Sequence, residues 1–433
     1  MFFLFLSLEA KTLAPKDING TFVKLVPEIK GKDQNLHPFD KLGVVYAFKF
    51  SKGEVQYERF PVPSSAYEQY KKSGKAEHDG FYQKTGNTHL FNQMLNAHSF
   101  KAKVQDIKKD VFVTTETPPQ IFLTGKALEW KDELPKSRIY ENAFIKDSYS
   151  YMMHFGLFST DYVVYKIQDC CRIPICRITT HTPAYMHSFA VTENYFILLE
   201  IPFRLSRPFP NLFSAFMKSF EFYPEEKTRV LCIDKKTGEV KEFFTKSFFY
   251  YHIANAFEDN GSINIDVVGY DKPLVSLEEK NVNNRLMRIV LKQDAEPVVV
   301  EHERACEFPV INPEIAGKNY RFIYALRTDL SKKFEQMGVG LLKIDLNGDM
   351  KSFSKKDCIF GEPAFIRRHY ERSEESCKAS TEDDGWLIGI MSNTAERKSY
   401  LYVLNAQTME LVYSQPMRDY VASIGFHGRF FSS

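Results

Sequence analysis

Three histidines of this chain sit in distinctive surroundings: His187 in PAYMHSFAVTENY, His252 in YYHIANAFED and His427 in GFHGRFF. A neutral imidazole can bind a first-row metal through one ring nitrogen while the other nitrogen makes the hydrogen bond that sets its tautomer. The three are far apart in sequence, so a shared site requires distant segments to meet at one point. Read singly, each has the ordinary role of a core histidine with satisfied ring nitrogens. Cysteine chemistry is weaker. The seven cysteines are odd in number and include no CxxC pair, which argues for reduced thiols in a cytosolic setting and against zinc. The densest group, Cys170, Cys171 and Cys176 in DCCRIPIC, reads as small strand residues.

The elements that must position these histidines are β-strands. An alternating apolar strand, a polar turn and a second alternating strand recur at residues 44–60, 119–131, 162–178, 229–244, 285–302, 339–353 and 399–413. The mean spacing of these hairpins is about 59 residues, in the range where repeated β units build a propeller. A large β-sandwich or a pair of β domains is the other architecture that hairpins allow. In a propeller the inner strand of each blade points at the axis, so residues from separate blades can converge on one ion. The long connections 64–96 and 202–227 are candidates to roof one face.

Composition agrees with a large β core: 433 residues carry 38 Phe and 23 Tyr, and 44% are hydrophobic. The formal net charge is +2, so no electrostatic footprint for nucleic acid stands out and an apolar substrate is admissible. The N-terminal MFFLFLSLEAK lacks the basic region of a signal peptide, and no apolar run approaches the roughly 20 residues of a membrane span. These features predict a cytoplasmic protein, either soluble or peripheral to a membrane.

The words around the histidines resemble those of the carotenoid cleavage oxygenases, which include carotenoid dioxygenases, the retinoid isomerase of vision and bacterial stilbene dioxygenases. The resemblance opens with LAPKDINGTFVKLVPE and HPFDKLGVVYAFKF and runs through EFPVINPEIAGKNYRFIYAL, GEPAFIRR and EDDGWLIGI to the terminal GFHG. It implies one all-β domain over 1–433, a seven-bladed β-propeller with a loop and helix dome over an axial Fe²⁺. The implied activity is cleavage of a carotenoid or apocarotenoid double bond with O₂. His187, His252 and His427 then match the second, third and fourth iron histidines of the family. Glu116 in VTTETPP, Glu307 in EFPVINP and Glu362 in GEPAF match glutamates that accept from the far imidazole nitrogen and orient each ring.

One position departs from the family. Its first iron histidine lies in HPK.D...G...NFG; NAFIKDSYSYMMHFG fits that pattern and puts Asn142 where histidine belongs. An amide oxygen is a poorer iron ligand than imidazole, and neither His154 nor His181 stands at the matching position. Three histidines can still hold non-haem iron. Two readings therefore stay open: a working oxygenase, and a pseudoenzyme that binds an apocarotenoid or lipid without cleaving it.

Stilbene-cleaving relatives place a lysine before the first of these glutamates. Here Thr115 stands there, which favours an apolar polyene substrate. Phe209, Phe213, Phe216 and Phe220 fall at helix-like spacing beside Arg204, Arg207 and Lys218. This pattern reads either as an element at the membrane and substrate access, where family members extract lipophilic substrates, or as a helix packed on the dome. The protein is expected to be a monomer.

Overall fold

A computed structural model describes residues 13–28, 37–62, 65–74, 103–107, 110–114, 121–122, 140–146, 149–168, 171–208, 215–274, 281–302, 304–368 and 381–432. Among them the structure is all-β, with one α-helix, Ser65–Ser73, and four short 3₁₀ turns. Every strand pairing is antiparallel, as expected where short polar turns join successive strands.

Most strands gather into separate sheets of four. Glu54–Pro61, Gly43–Ser51 and Gly20–Pro27 are completed by Gly428–Ser432, so the first and last described strands share one sheet. The next runs from Cys171–Thr180 through Thr160–Gln168 and Tyr149–Phe155 to Tyr140–Lys146. Three more follow: Ala190–Val191 leads to Val240–Thr245, Phe249–Asp259 to Val298–His302, and Cys306–Val310 to Met350–Phe353. The last has five strands, in which Cys358–Phe360 and Ala364–Arg367 both pair with Gly385–Asn393, followed by Lys398–Asn405 and Leu411–Pro416. A three-stranded sheet at Lys103–Ile107, Asp110–Thr114 and Ile121–Phe122 and a two-stranded hairpin of Phe203–Leu205 with Phe220–Phe222 complete the description.

Six of the hairpins expected from alternation are present, and each forms the edge pair of its four- or five-stranded sheet. The alternation reflects one half-covered and one solvated face, as in Glu54–Pro61, where Glu54, Gln56 and Glu58 are exposed and Val55, Tyr57 and Arg59 half-buried. The seventh, at 119–131, lies mostly outside the described residues. The middle strands are buried on both faces: all nine residues of Ser262–Tyr270 are buried, and Ile265, Val267 and Val268 are fully inaccessible. The five described cysteines, Cys171, Cys176, Cys232, Cys306 and Cys358, are free thiols.

Candidate metal centre

The strand opposite the edge hairpin carries the candidate chemistry in sheet after sheet. His252 lies in Phe249–Asp259, at a break in its register with Ser262–Tyr270. His427 immediately precedes Gly428–Ser432, and His187 sits in the bend before Ala190–Val191. Bulges and short strands re-aim side chains that a regular ladder would point into the sheet stack.

These segments meet. One ligand atom from each of His187, His252 and His427 lies within 4.8 Å of the other two. The Nε2 atoms of His252 and His427 are 3.2 Å apart, with their ring planes at 83°. His187 stands edge-on to His252, with ring centroids 5.0 Å apart at 86°. All three are largely sequestered, His187 at 8% exposure.

Carboxylates hold the far side of two rings. His252 Nδ1 is 2.6 Å from Glu307 Oε2, and His427 Nδ1 is 2.9 Å from Glu362 Oε1. Glu307 is buried and accepts further from the Tyr270 hydroxyl at 2.8 Å and from the Phe308 amide. Burial, reinforced by Glu307, pushes the Tyr270 hydroxyl well above its ordinary range, so it remains a donor. Phe308 itself has φ 51°, in the left-handed region, and its ring lies 4.8 Å from His252 and 5.6 Å from His427. A non-glycine residue held there is a strained conformation of the kind that clusters at functional sites.

Glu362 accepts from the Gly428 amide at 3.0 Å and is paired with Lys24, whose Nζ lies 3.5 Å from Oε2 and 3.1 Å from the Glu362 carbonyl. Burial opposes the charge on Glu362, but His427 and Lys24 outweigh it and hold the carboxyl down at about 2. Lys24, fully inaccessible, is brought down to about 8 by burial against the pull of Glu362. Glycines flank His427 where the chain runs close to its neighbours. Gly425 has φ +73° and leaves 3.0 Å between the place of a Cβ and Lys24 Cε, and Gly428 packs equally close to Lys24 and Phe22.

The donor set suits a divalent cation. With Nδ1–H of His252 and His427 donated to carboxylates, two Nε2 lone pairs face each other at 3.2 Å. That arrangement is repulsive unless one ring gains a proton or an ion lies between them. Neutral nitrogen donors backed by carboxylates are the ligand type that suits iron, copper, nickel or zinc rather than calcium or magnesium. An aromatic wall leads to the cluster: Phe39 packs 5.2 Å from both Phe334 and Phe426 and 6.4 Å from Tyr251, whose ring lies 5.5 Å from His187.

The remaining expected residues are distributed differently. Glu116, Phe209 and Phe213 lie outside the described residues. Asn142 lies in Tyr140–Lys146, the strand of its sheet farthest from the edge hairpin, and its register partner is Tyr151. The Tyr151 hydroxyl donates to the carbonyl of Met186, next to His187. His154 instead bonds Tyr165 at 3.0 Å, and His181 bonds the Phe158 carbonyl at 2.8 Å. The helix-like spacing of the phenylalanines resolves into the short turn Phe216–Ser219 and the strand Phe220–Phe222. Phe220 is 6% exposed and stacks on Phe203, so it faces the core rather than solvent, while Phe216 is half-buried against it at 5.0 Å. Lys24, Tyr185, Tyr270 and Phe308 were missed as site residues. The AYMH, KLVP and EFP words contain Tyr185, Lys24 and Phe308, while Tyr270 lies in none of them, and nothing in alternation marks a buried lysine or a tyrosine as a partner of the site.

Fold and site together define an all-β protein with a trihistidine cluster backed by carboxylates. The sequence profile of the retinal pigment epithelial membrane protein family matches residues 8–432, and the chain belongs to that family. It is 30% identical over 242 residues to the apocarotenoid-15,15'-oxygenase of Synechocystis, an alignment covering 52% of this chain and 47% of that protein. Thus the match spans about half the length of that relative. Against human beta,beta-carotene 15,15'-dioxygenase the identity is 23%, over 91% of this chain and 86% of the relative. The cobalt-substituted structure of the Synechocystis oxygenase superposes with a TM-score of 0.82 at 22% identity, covering 98% of this chain and 94% of the other. Among the described residues no helix is long and apolar enough to cross a membrane.

Proposed function

We propose that this protein is a non-haem Fe²⁺-dependent dioxygenase that cleaves a carbon–carbon double bond of a carotenoid or apocarotenoid, adding one oxygen atom of O₂ to each carbonyl product. The observation that carries the reading is the meeting of three imidazoles from three sheets, two of them backed by Glu307 and Glu362. His187, His252 and His427 would hold the iron, whose chemistry when bound is the activation of O₂ toward an olefin. Glu307 and Glu362 fix the Nδ1–H tautomers of their partners and so keep each Nε2 lone pair directed inward. Glu116 is assigned the same role toward position 142. Phe39, Phe334, Phe426 and Tyr251 offer an apolar wall that excludes water and can lie along a polyene.

The same reading takes the separate sheets as blades of one seven-bladed propeller over 1–433, closed by the pairing of Gly20–Pro27 with Gly428–Ser432 and roofed by a dome. It treats the protein as a cytoplasmic monomer that meets membranes peripherally around 209–216. A second reading rests on Asn142: with an amide at the fourth ligand position, the chain would bind an apocarotenoid or other lipid without turnover. Anaerobic reconstitution with Fe²⁺, followed by an apocarotenal and air, separates them. Two shorter carbonyl products support the oxygenase. A retained, intact polyene supports the binding protein whether or not iron is taken up, and absence of both iron uptake and polyene retention rejects both readings.

A further inference from the structure

We infer that Lys24 is a positioning residue of the proposed metal site, on which this inference rests: acting through Glu362, it makes His427 a weaker donor to the ion than His252. Each of these imidazoles is backed by a buried carboxylate, but the two carboxylates are compensated differently. Besides His252, Glu307 accepts from the Tyr270 hydroxyl at 2.8 Å and from the Phe308 amide, both neutral groups. Besides His427, Glu362 accepts from the Gly428 amide and faces the ammonium of Lys24, 3.5 Å from Oε2.

A carboxylate that orients an imidazole also draws on its Nδ1 proton and so strengthens the lone pair at Nε2. A cation held against that carboxylate offsets part of its negative charge and weakens the pull. The geometry agrees. His252 Nδ1 lies 2.6 Å from Glu307, the carboxylate without a lysine, whereas His427 Nδ1 lies 2.9 Å from Glu362, and the shorter charge-assisted bond is the stronger.

The sheet brings the lysine to this place. Lys24 lies in Gly20–Pro27, between Gly43–Ser51 and Gly428–Ser432, and has no exposure. Its register partner in the last strand is Gly428, the residue after His427, where a Cβ would stand 3.0 Å from Lys24 Cδ. The missing side chain leaves room for the lysine stem, whose Nζ also donates to the Glu362 carbonyl at 3.1 Å. The next residue, Leu25, donates its amide to the His427 carbonyl at 3.1 Å and accepts from the Phe426 amide at 2.8 Å. One strand thus supplies the charge and holds the backbone on both sides of the ligand.

The test loads chelator-treated wild type, Lys24→Met and Lys24→Arg with Zn²⁺ at pH 7. The low-field Nδ1–H proton resonances of His252 and His427, identified by their displacement in Glu307→Gln and Glu362→Gln, report the strength of each imidazole–carboxylate bond. In wild type the His252 proton is expected further downfield than that of His427, a comparison that needs no variant. Lys24→Met should move the His427 proton downfield, leave that of His252 in place and tighten Zn²⁺ binding about 3-fold, less than the 10-fold or more of a direct partner. Lys24→Arg, which keeps the charge, should leave both protons near their wild-type positions. A wild-type His427 proton as far downfield as that of His252, or one that does not move in folded Lys24→Met whatever its affinity, overturns the inference alone. Absence of Zn²⁺ uptake by the wild type overturns the metal-site reading and the inference with it.

Discussion

Glu362 stands between a half-buried imidazole and a buried lysine, accepting from His427 on one oxygen while its other oxygen lies 3.5 Å from Lys24 Nζ. One carboxylate therefore orients a candidate metal ligand and compensates a lysine with no exposure. Glu362→Gln keeps the shape but leaves Lys24 without a counter-charge, a change that costs about 3 kcal/mol in buried pairs. Glu307→Gln leaves no such lysine, so its stability loss should be smaller although metal affinity falls in both. Denaturant titration at neutral pH measures the difference. Adding Lys24→Met to Glu362→Gln should recover much of the loss, and a double variant no more stable than Glu362→Gln would refute the pairing argument.

The opposed Nε2 atoms of His252 and His427 predict metal-linked stability. A ligand that binds only the folded state at 100 times its Kd adds about 2.7 kcal/mol. Fe²⁺ under anaerobic conditions, or Co²⁺ in air, should raise the thermal midpoint of chelated protein. His252→Ala should abolish the increase. A rise that persists in His252→Ala and in His427→Ala would place the ion elsewhere.

Acid sensitivity away from the centre should involve Asp345. Its bonds to Arg321, at 2.6 Å for the closest, lead the causes that hold its carboxyl below the ordinary value, with the Asn347 amide adding to them. A carboxyl whose folded-state pKa is depressed contributes stability above the unfolded value, near 4, and that contribution is lost as pH falls through the lower folded value. Asp345→Asn should thus melt earlier than wild type at pH 7, and the gap should close in strong acid. A gap that is constant with pH would mean that the substitution acts through packing rather than charge.

Alternation made the edge hairpins legible because Glu54–Pro61 and its counterparts keep one solvated face. Inner strands were silent for the opposite reason. Cys306–Val310 is short, largely buried and shifted in register between Glu307 and Val310, so it has neither length nor period 2. The histidines and the glutamates behind them were legible through the words that carry them, but their partners were not. A lysine in a strand usually signals a solvated face, and Lys24 contradicts that rule because Glu362, 338 positions away, receives it. Phe220 misled in the same way: its spacing from Phe216 is helical, and its burial is set by Tyr185 and Phe203, which local sequence does not reveal.

Asn142 decides between the two proposed readings. Its strand, Tyr140–Lys146, ends its sheet on the side away from the edge hairpin, and its register partner Tyr151 reaches the Met186 carbonyl beside His187. If position 142 is the fourth ligand position, as proposed, an imidazole there would add a nitrogen donor, which binds iron more strongly than an amide oxygen. Asn142→His should therefore tighten Fe²⁺ binding, on the order of 10-fold or more, the scale of ligand-environment changes at metal sites. Metal content after anaerobic dialysis and turnover of an apocarotenal are the two measurements. If wild type holds near-stoichiometric iron and cleaves the polyene, while Asn142→His gains nothing, three histidines suffice. If wild type is iron-poor and inert but the variant gains metal, the protein is a binding relative of the oxygenases. Folded wild type and variant that both refuse Fe²⁺ would show that the site has changed beyond this residue, and the oxygenase assignment would fall.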